Sequence, residues 1–285
     1  MRLEVRGARL FFDTEGSEWI ADGPQLRRKP TLLILHGGPG VDHSAYREMG
    51  RRLRDELHVV YLDHRGNGRS DEGTADAWTL ASWAADVAAF VDVLGLERPF
   101  VLGHSFGGYV AQAYAASFPG QAAGVILAGT APRFVLARCL ETVRRLGGEG
   151  AADVARRFFA RPRETFPEYV ATCYPLYGRT PPDADGLART VIRVDVADHF
   201  VGGEMQTFDL RPALAAVASP VLILSGGDDL IATPQDIDEL VAALPAGRVT
   251  RAHQATAGHE MLRDAPAETE AAIRAFVRDV SGSGR

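Results

Sequence analysis

The sequence predicts an α/β fold in which a mostly parallel central sheet is flanked by helices and carries a helical insertion. The first observation is a set of short apolar runs that end in glycine-rich turns, as buried parallel strands do. These runs are "TLLILHGGPG", "FVLGHSFGG" and "SPVLILSGGDD". The second observation is the helical pattern between such runs. The third is a long segment, residues 132–214, that contains no strand-like run.

Elements of the first half are assigned in chain order from the spacing of apolar residues. Residues 1–20 alternate polar and apolar side chains and then turn at glycines and acids, which predicts a β-hairpin. Buried strands are predicted directly before His36 and at about 58–62. Leu80–Leu94 has apolar residues at spacings of three and four, which predicts a helix that ends at a C′ glycine, Gly95.

The remaining core elements lie on either side of the insertion. A strand at Phe100–Leu102 leads into a small-residue helix that closes at Pro119–Gly120, and "GVILAGT" is a further buried strand. After the insertion come the strand in "SPVLILSGGDD", a strand in "RVTRAH" and a final helix. The tail, residues 281–285, is expected to fray.

The insertion is rich in Arg, Ala, Phe and Tyr and is interpreted as a helical cap over the carboxyl edge of the sheet. Helices are expected in "RCLETVRRLGG", "AADVARRFFARP" and "LARTVIRVDVADHF". The predicted domains are therefore a core, residues 1–131 and 215–285, and a cap or lid, residues 132–214.

Composition restricts the partners that the protein can have. Its 285 residues are 46% hydrophobic and 24% charged, as in ordinary globular proteins. A formal net charge of −6 and scattered basic residues argue against nucleic-acid binding. Without a secretory signal or a membrane-length apolar run, a cytoplasmic protein that does not bind membranes is expected. Cys139 and Cys173 are expected to be free thiols, and no spacing indicates a metal or cofactor site.

One serine interrupts the pattern of strand and helix. The stretch Gly103–His104–Ser105–Phe106–Gly107 matches the G-x-S-x-G motif, directly after an apolar strand and before a helix. A turn of this kind exposes the hydroxyl at a helix N-terminus, and its tight geometry needs glycine on both sides. Ser105 is therefore the predicted nucleophile, and His104 is assigned to packing beside it.

A serine nucleophile needs a histidine as base and an acidic residue that orients the histidine. For the G-x-S-x-G motif, the expected order in the chain is serine, acid and histidine. Three histidines follow Ser105, and we prefer His259 because it lies in a polar loop, after a strand and next to a glycine. His253 is assigned to the strand itself and His199 to the cap.

The acid and the oxyanion hole complete the predicted site. Counting from Gly226, the pattern Gly-x-x-Asp places the acid at Asp229, with Asp228 as the alternative. The oxyanion hole needs two backbone N–H groups, which are predicted at Phe106, next to the nucleophile, and at Gly38, in the early glycine loop. These residues indicate a serine hydrolase that forms an acyl-enzyme and uses no cofactor.

Three segments taken together resemble a known family; they are "HGGPG" (36–40), "DHRGNGRS" (63–70) and "GHSFGGYVAQAYA" (103–115). They are similar to the α/β-hydrolase superfamily, and HGGPG resembles its proline iminopeptidase branch. The resemblance spans the chain and implies the α/β-hydrolase fold and a catalytic triad of Ser105, Asp229 and His259. It also implies a peptide substrate whose free amino terminus is held by acidic residues. It implies Glu204, at the end of the cap, as a candidate amine ligand, with surface charge as the alternative. His36 and Gly37 are further candidate substrate contacts, although His36 can instead order its loop.

A second substrate class stays open. Leu230 stands directly after Asp229, where some members of the branch carry an acid, and aromatic residues of the cap can line an apolar pocket. Both features favour an ester, lactone or thioester of an apolar acyl group. A non-catalytic binding protein would have a damaged triad, and an epoxide hydrolase would have Asp in place of Ser105. The expected partner is a small molecule or short peptide, and the oligomeric state is left open.

Overall fold

A computed structural model describes residues 1–282, and an eight-stranded sheet forms its centre. The strands of the chain are β1 (Arg2–Val5), β2 (Ala8–Glu15), β3 (Trp19–Asp22), β4 (Gln25–Arg28), β5 (Thr31–Leu35), β6 (His58–Leu62), β7 (Phe100–His104), β8 (Gly124–Ala128), β9 (Val221–Gly226) and β10 (Val249–Gln254). The order across the large sheet is β1-β2-β6-β5-β7-β8-β9-β10. Pairing is antiparallel from β1 through β2 to β6 and parallel between all other neighbours. The predicted mostly parallel sheet and the N-terminal hairpin are confirmed.

The central strands, β5 to β9, are buried on both faces, which explains their unbroken apolar runs. Successive side chains of a strand point to opposite faces. On β5, Leu33 and Leu35 pack in one half of the core, whereas Leu32 and Ile34 pack in the other. Each strand of this kind therefore serves two hydrophobic cores at once.

The helices belong both to the two faces of the sheet and to the insertion. They are α1 (Arg47–Leu53), α2 (Leu80–Leu94), α3 (Phe106–Ser117), α4 (Leu136–Ala160), α5 (Pro162–Thr172), α6 (Ala184–Arg189), α7 (Val194–Val201), α8 (Arg211–Leu214), α9 (Pro234–Ala243), α10 (Met261–Asp264) and α11 (Pro266–Gly282). Helices α2 and α3 pack on the face of Leu33, and α1 and α11 pack on the face of Leu32. Helix α2 has the predicted bounds, and Gly95 ends it with a φ of 68°. No helix within residues 1–282 is both long enough and apolar enough to cross a membrane.

A second hairpin, β3–β4, lies in a region that the sequence analysis does not assign to strands. Its register pairs Trp19 with Arg28 and Asp22 with Gln25. Most of its residues are exposed, so neither strand shows the apolar alternation that marks a half-buried strand.

Residues 132–214, all of which the structure describes, contain helices and turns and no strand. The first two predicted helices form α4, which bends at Gly148, where φ is 81° and ψ is −179°. The third predicted helix is wrong in its middle, because the chain leaves the helical path between α6 and α7. There the Val191 N–H donates to Asp42 Oδ2 at 3.1 Å, and the Arg193 N–H donates to the Gly40 carbonyl at 2.7 Å. Hydrogen bonds to a core loop thus replace those of a continuous helix.

The C-terminal helix reaches the tail that is expected to fray. Helix α11 continues to Gly282, and residues 283–285 lie outside the described residues.

Candidate active site

The turn between β7 and α3 holds Ser105 in a backbone conformation that residues with side chains rarely adopt. Its φ is 54° and its ψ is −118°, and its N–H donates to the Ala128 carbonyl at 2.9 Å. A Cβ at Gly103 would lie 2.2 Å from the Gly107 carbonyl oxygen, and a Cβ at Gly107 would lie 2.2 Å from the Leu35 carbonyl oxygen. Both motif glycines are therefore required by close backbone contacts.

Asp229 and His259 form a buried hydrogen-bonded pair. The distance from His259 Nδ1 to Asp229 Oδ1 is 2.9 Å, and the same oxygen accepts the N–H groups of Ile231 and Ala232 at 2.8 Å each. Because an ionised carboxylate can only accept, Nδ1 carries the proton of the neutral ring and Nε2 keeps its lone pair. The hydrogen bonds thus assign the tautomer in which Nε2 can act as a base.

The surroundings of His259 favour its protonated form. Burial alone would lower the pKa of the imidazole, since it disfavours the charged state. The charge and hydrogen bond of Asp229, together with the charge of Glu260, outweigh burial and raise the pKa of His259 above its ordinary value. The pair is arranged to stabilise an imidazolium when one forms.

The Asp229–His259 pair lies beside the serine turn. His104, the residue before Ser105, has its ring centroid 5.0 Å from that of His259, and its Nε2 lies 3.1 Å from the His259 carbonyl oxygen. A Cβ at Gly129, just after β8, would lie 3.1 Å from His259 Nδ1. From the cap, the Tyr177 ring packs edge-on against His259 with 5.2 Å between centroids. The Asp229–His259 pair thus lies beside the turn that carries Ser105, and the action of the three residues as a triad stays a prediction.

The alternative residues lie elsewhere or have other partners. Asp228 forms ion pairs with Arg145, at 2.8 Å, and with Arg179, both from the cap. His253 lies on β10, and His199 lies on α7. The geometry supports the choice of Asp229 and His259.

The loop predicted to carry the oxyanion hole, residues 35–40, lies against Ser105; we call it the oxyanion loop. A Cβ at Gly37 would lie 3.4 Å from Ser105 Cβ, and Gly38 has a φ of 112°. The Phe106 N–H belongs to the first turn of α3, where the helix offers no acceptor. The loop that carries Gly38 and the helix end that carries Phe106 both adjoin Ser105, as an oxyanion hole requires.

His36 and Gly37 have partners within the protein, and their predicted role as substrate contacts stays a prediction. His36 is fully buried; its Nε2 accepts the His64 N–H at 3.2 Å, and its Nδ1 lies 2.7 Å from the Gly37 carbonyl oxygen. Burial lowers the pKa of His36, in keeping with a neutral ring. The Gly37 N–H is taken by the hydroxyl of Tyr46 at 2.7 Å. Both ring nitrogens of His36 and the N–H of Gly37 are therefore engaged within the protein.

Glu204 has a partner within the protein. It lies in a turn at Glu204–Gln206, where its Oε2 accepts the Leu80 N–H at 2.9 Å and so caps the first turn of α2. Leu230, which follows the triad acid, is fully buried. The role of Glu204 as an amine ligand stays a prediction.

Sequence reasoning missed a carboxylate that joins the cap to residues 255–260, the loop that carries His259 and that we call the histidine loop. Asp264 Oδ1 accepts the N–H groups of Arg179 and Thr180 at 2.8 and 2.9 Å. Its Oδ2 accepts the N–H of Gly258, the residue before His259, at 2.9 Å. We call residues 177–180 the cap strap. Nothing near Asp264 in the sequence marks it, because two of its partners lie more than eighty residues away.

Possible metal ligands and the two cysteines are the remaining candidate groups. Within residues 1–282, no group of three or more His, Cys, Asp or Glu side chains is placed to hold a metal ion. Cys139 and Cys173 are free and buried, and burial raises the pKa of both thiols. Raised thiol pKa values make both cysteines poor nucleophiles.

Comparison with known proteins places this geometry among hydrolases. A family described as alpha/beta hydrolase fold matches residues 30–266. The RutD protein of Caulobacter sp. (strain K31), named a carbamate hydrolase by provisional assignment, is 26% identical over 273 residues, which cover 90% of this chain and 94% of RutD.

Two solved structures are similar over nearly their whole length. A proline iminopeptidase from Mycobacterium smegmatis has a TM-score of 0.80 at 21% identity, covering 100% of this chain and 99% of that one. A thermophilic esterase from Thermogutta terrifontis has a TM-score of 0.68 at 25% identity, covering 98% of this chain and 99% of that one.

Proposed function

The chain belongs to the alpha/beta hydrolase family, and we propose that it is a serine hydrolase that cleaves small acyl substrates with Ser105, His259 and Asp229. The observation that carries the proposal is the buried 2.9 Å hydrogen bond between Asp229 and His259, next to a serine held at positive φ. This arrangement supplies a nucleophile, a base and a residue that orients the base.

In the acylation half of the proposed reaction, Ser105 Oγ attacks the acyl carbon while His259 Nε2 takes the hydroxyl proton. The N–H groups of Gly38 and Phe106 hold the resulting oxyanion. His259 then gives its proton to the leaving oxygen, sulfur or nitrogen as the bond to the acyl carbon breaks. The acyl group stays on Ser105 as an ester.

Deacylation repeats these steps with water. His259 takes a proton from water as the water oxygen attacks the acyl carbon, and then returns the proton to Ser105 Oγ as the acid departs. Asp229 keeps the proton of the neutral ring on Nδ1 in both halves. It also stabilises the imidazolium, as the raised pKa of His259 indicates.

Within this class, we propose that esters and thioesters of apolar acids are the better substrates. A free amino terminus needs acidic side chains that are open to it. Glu204 already caps α2, and buried Leu230 provides no charge. The second candidate is a peptide with a free amino terminus; the HGGPG loop and the similarity in fold to a proline iminopeptidase favour it.

Parallel kinetics on two chromogenic substrates test both levels of the proposal. Wild type, Ser105→Ala and Glu204→Gln are each assayed with 4-nitrophenyl butyrate and with L-proline 4-nitroanilide. A burst of nitrophenol equal to the enzyme concentration would report an acyl-enzyme. We expect Ser105→Ala to be inactive and folded, with the melting temperature of the wild type.

The substrate preference decides between the two candidates. Turnover of the ester alone, with Glu204→Gln silent, is the expected outcome. Efficient anilide cleavage that is damaged by Glu204→Gln would establish the aminopeptidase instead. Substantial turnover by Ser105→Ala on either substrate would remove the serine mechanism.

A further inference from the structure

A buried chain of hydrogen bonds joins three parts of the proposed site. The Gly37 N–H, in the oxyanion loop, donates to the hydroxyl of Tyr46 at 2.7 Å. That hydroxyl lies 2.8 Å from His104 Nδ1 in the serine turn. His104 Nε2 lies 3.1 Å from the carbonyl oxygen of His259. The chain therefore runs from the oxyanion loop, behind the nucleophile, to the backbone of the catalytic histidine.

Only one proton arrangement satisfies every member of this chain. The His259 carbonyl can only accept, so His104 Nε2 carries the proton, and Nδ1 of the neutral ring accepts. Tyr46 must then donate its hydroxyl proton to Nδ1, while its oxygen accepts from Gly37. Burial lowers the pKa of His104 and raises that of Tyr46, so each stays in the neutral form that the arrangement needs.

We propose that Tyr46 and His104 are positioning residues that hold the oxyanion loop and the catalytic histidine in fixed places around Ser105. This inference rests on the proposed serine mechanism. It adds a link between the two halves of the machinery, which the Asp229–His259 pair does not provide.

The packing shows why loss of one hydroxyl would be felt. A Cβ at Gly37 would lie 2.9 Å from the Tyr46 hydroxyl oxygen, 3.3 Å from His104 Nδ1 and 3.4 Å from Ser105 Cβ. Tyr46 and His104 are only 7% and 3% exposed, so water does not easily replace a missing partner. Tyr46→Phe would leave both the Gly37 N–H and His104 Nδ1 unpaired, and buried unpaired groups drive local rearrangement. The loop would shift, and Gly38 would shift with it.

The first test compares Tyr46→Phe with a matched control, Tyr61→Phe. The Tyr61 hydroxyl is also buried but has no hydrogen-bond partner within residues 1–282. With 4-nitrophenyl butyrate, we expect kcat of Tyr46→Phe to fall by about tenfold or more, with KM within about twofold of wild type. Tyr61→Phe should keep both constants. A variant kcat within about twofold of wild type would overturn the inference.

A transition-state analogue separates a loss of oxyanion-loop positioning from a general loss of structural order in Tyr46→Phe. 1-Butaneboronic acid adds to Ser105 Oγ as a tetrahedral boronate, so its inhibition constant reports oxyanion geometry. That constant should rise in Tyr46→Phe by the same factor as kcat/KM falls. If the inhibition constant stays unchanged while kcat/KM falls, the positioning role is refuted.

A second pair of variants covers the case in which Tyr46→Phe does not fold. The amide of Gln reaches the place of an imidazole Nε2, so His104→Gln keeps a donor for the His259 carbonyl, which His104→Ala removes. We expect His104→Gln to retain at least about tenfold more kcat than His104→Ala; equal activity would overturn the inference. Labelling of Ser105 by a fluorophosphonate in all variants separates this result from failure of the proposed function. An unlabelled wild type would overturn both.

Discussion

Replacing Asp264 with Asn tests whether one carboxylate holds the cap strap to the histidine loop. Its two oxygens accept three backbone N–H groups, those of Arg179 and Thr180 on one side and that of Gly258 on the other. An amide has one acceptor oxygen, so its NH₂ group faces an N–H donor in either orientation. The less damaging orientation keeps the two bonds to the strap and loses the bond to Gly258.

The expected loss of stability follows from that count. A hydrogen bond to a charged acceptor contributes about 1.5–3 kcal/mol. We therefore expect Asp264→Asn to lower the free energy of unfolding by about 2 kcal/mol, and Asp264→Ala, which loses all three bonds, to lower it further. Because Gly258 precedes His259, kcat should fall as well.

Urea denaturation followed by circular dichroism measures this loss. The matched control is Asp238→Asn, whose carboxylate is exposed and, within residues 1–282, pairs only with Arg251, at 3.2 Å. We expect no measurable shift of the control midpoint, because exposed ion pairs contribute little. If Asp264→Asn and Asp264→Ala both unfold at the wild-type urea concentration, the reasoning is refuted.

Three further predictions concern the core of the site and its support. In the same assay, Asp86→Asn should lower the unfolding free energy by about 3 kcal/mol, because it breaks a buried ion pair. In that pair, each oxygen of Asp86 lies 2.7 Å from a nitrogen of Arg65. An unchanged urea midpoint would contradict this. Gly129→Ala should lower kcat more than it raises KM, since the residue has a φ of 52° and its new methyl group would lie 3.1 Å from His259 Nδ1; wild-type kinetics would show that the site has room. Finally, kcat/KM should decline as the pH falls, because protonation of His259 removes the base. The midpoint of this decline should lie above 6.5, the ordinary pKa of histidine, because the pKa of His259 is raised. Asp229→Asn should move that midpoint down, and an unmoved midpoint would exclude Asp229 as the cause.

Features that depend on local sequence could be predicted. The bounds of α2 follow from its apolar spacing and from Gly95, and the serine turn follows from a motif with its flanking strand and helix. Chain order and neighbouring glycines favour Asp229 and His259 over the alternatives, and their catalytic role stays a prediction.

Features that depend on contacts between residues distant in the sequence could not be predicted. The break between α6 and α7 arises where Val191 and Arg193 bond to a core loop, against their helical pattern. Tyr46 and Asp264 act through partners that no spacing reveals. Glu204 shows a related difficulty, since a carboxylate that caps a helix and one that binds an amine look alike in a sequence.

The break between α6 and α7 also restricts how residues 132–214 can move relative to the sheet. At this break the insertion is attached to the oxyanion loop through Gly40, and at the cap strap it is attached to the histidine loop through Asp264. An outward swing of the whole insertion as one rigid body would have to break both attachments together and would disturb both loops. A bend inside the insertion would leave both attachments in place, and α4 already departs from helical backbone at Gly148. The cap is thus fixed to the core at two separate loops, so that its attachment at one of them restricts motion about the other.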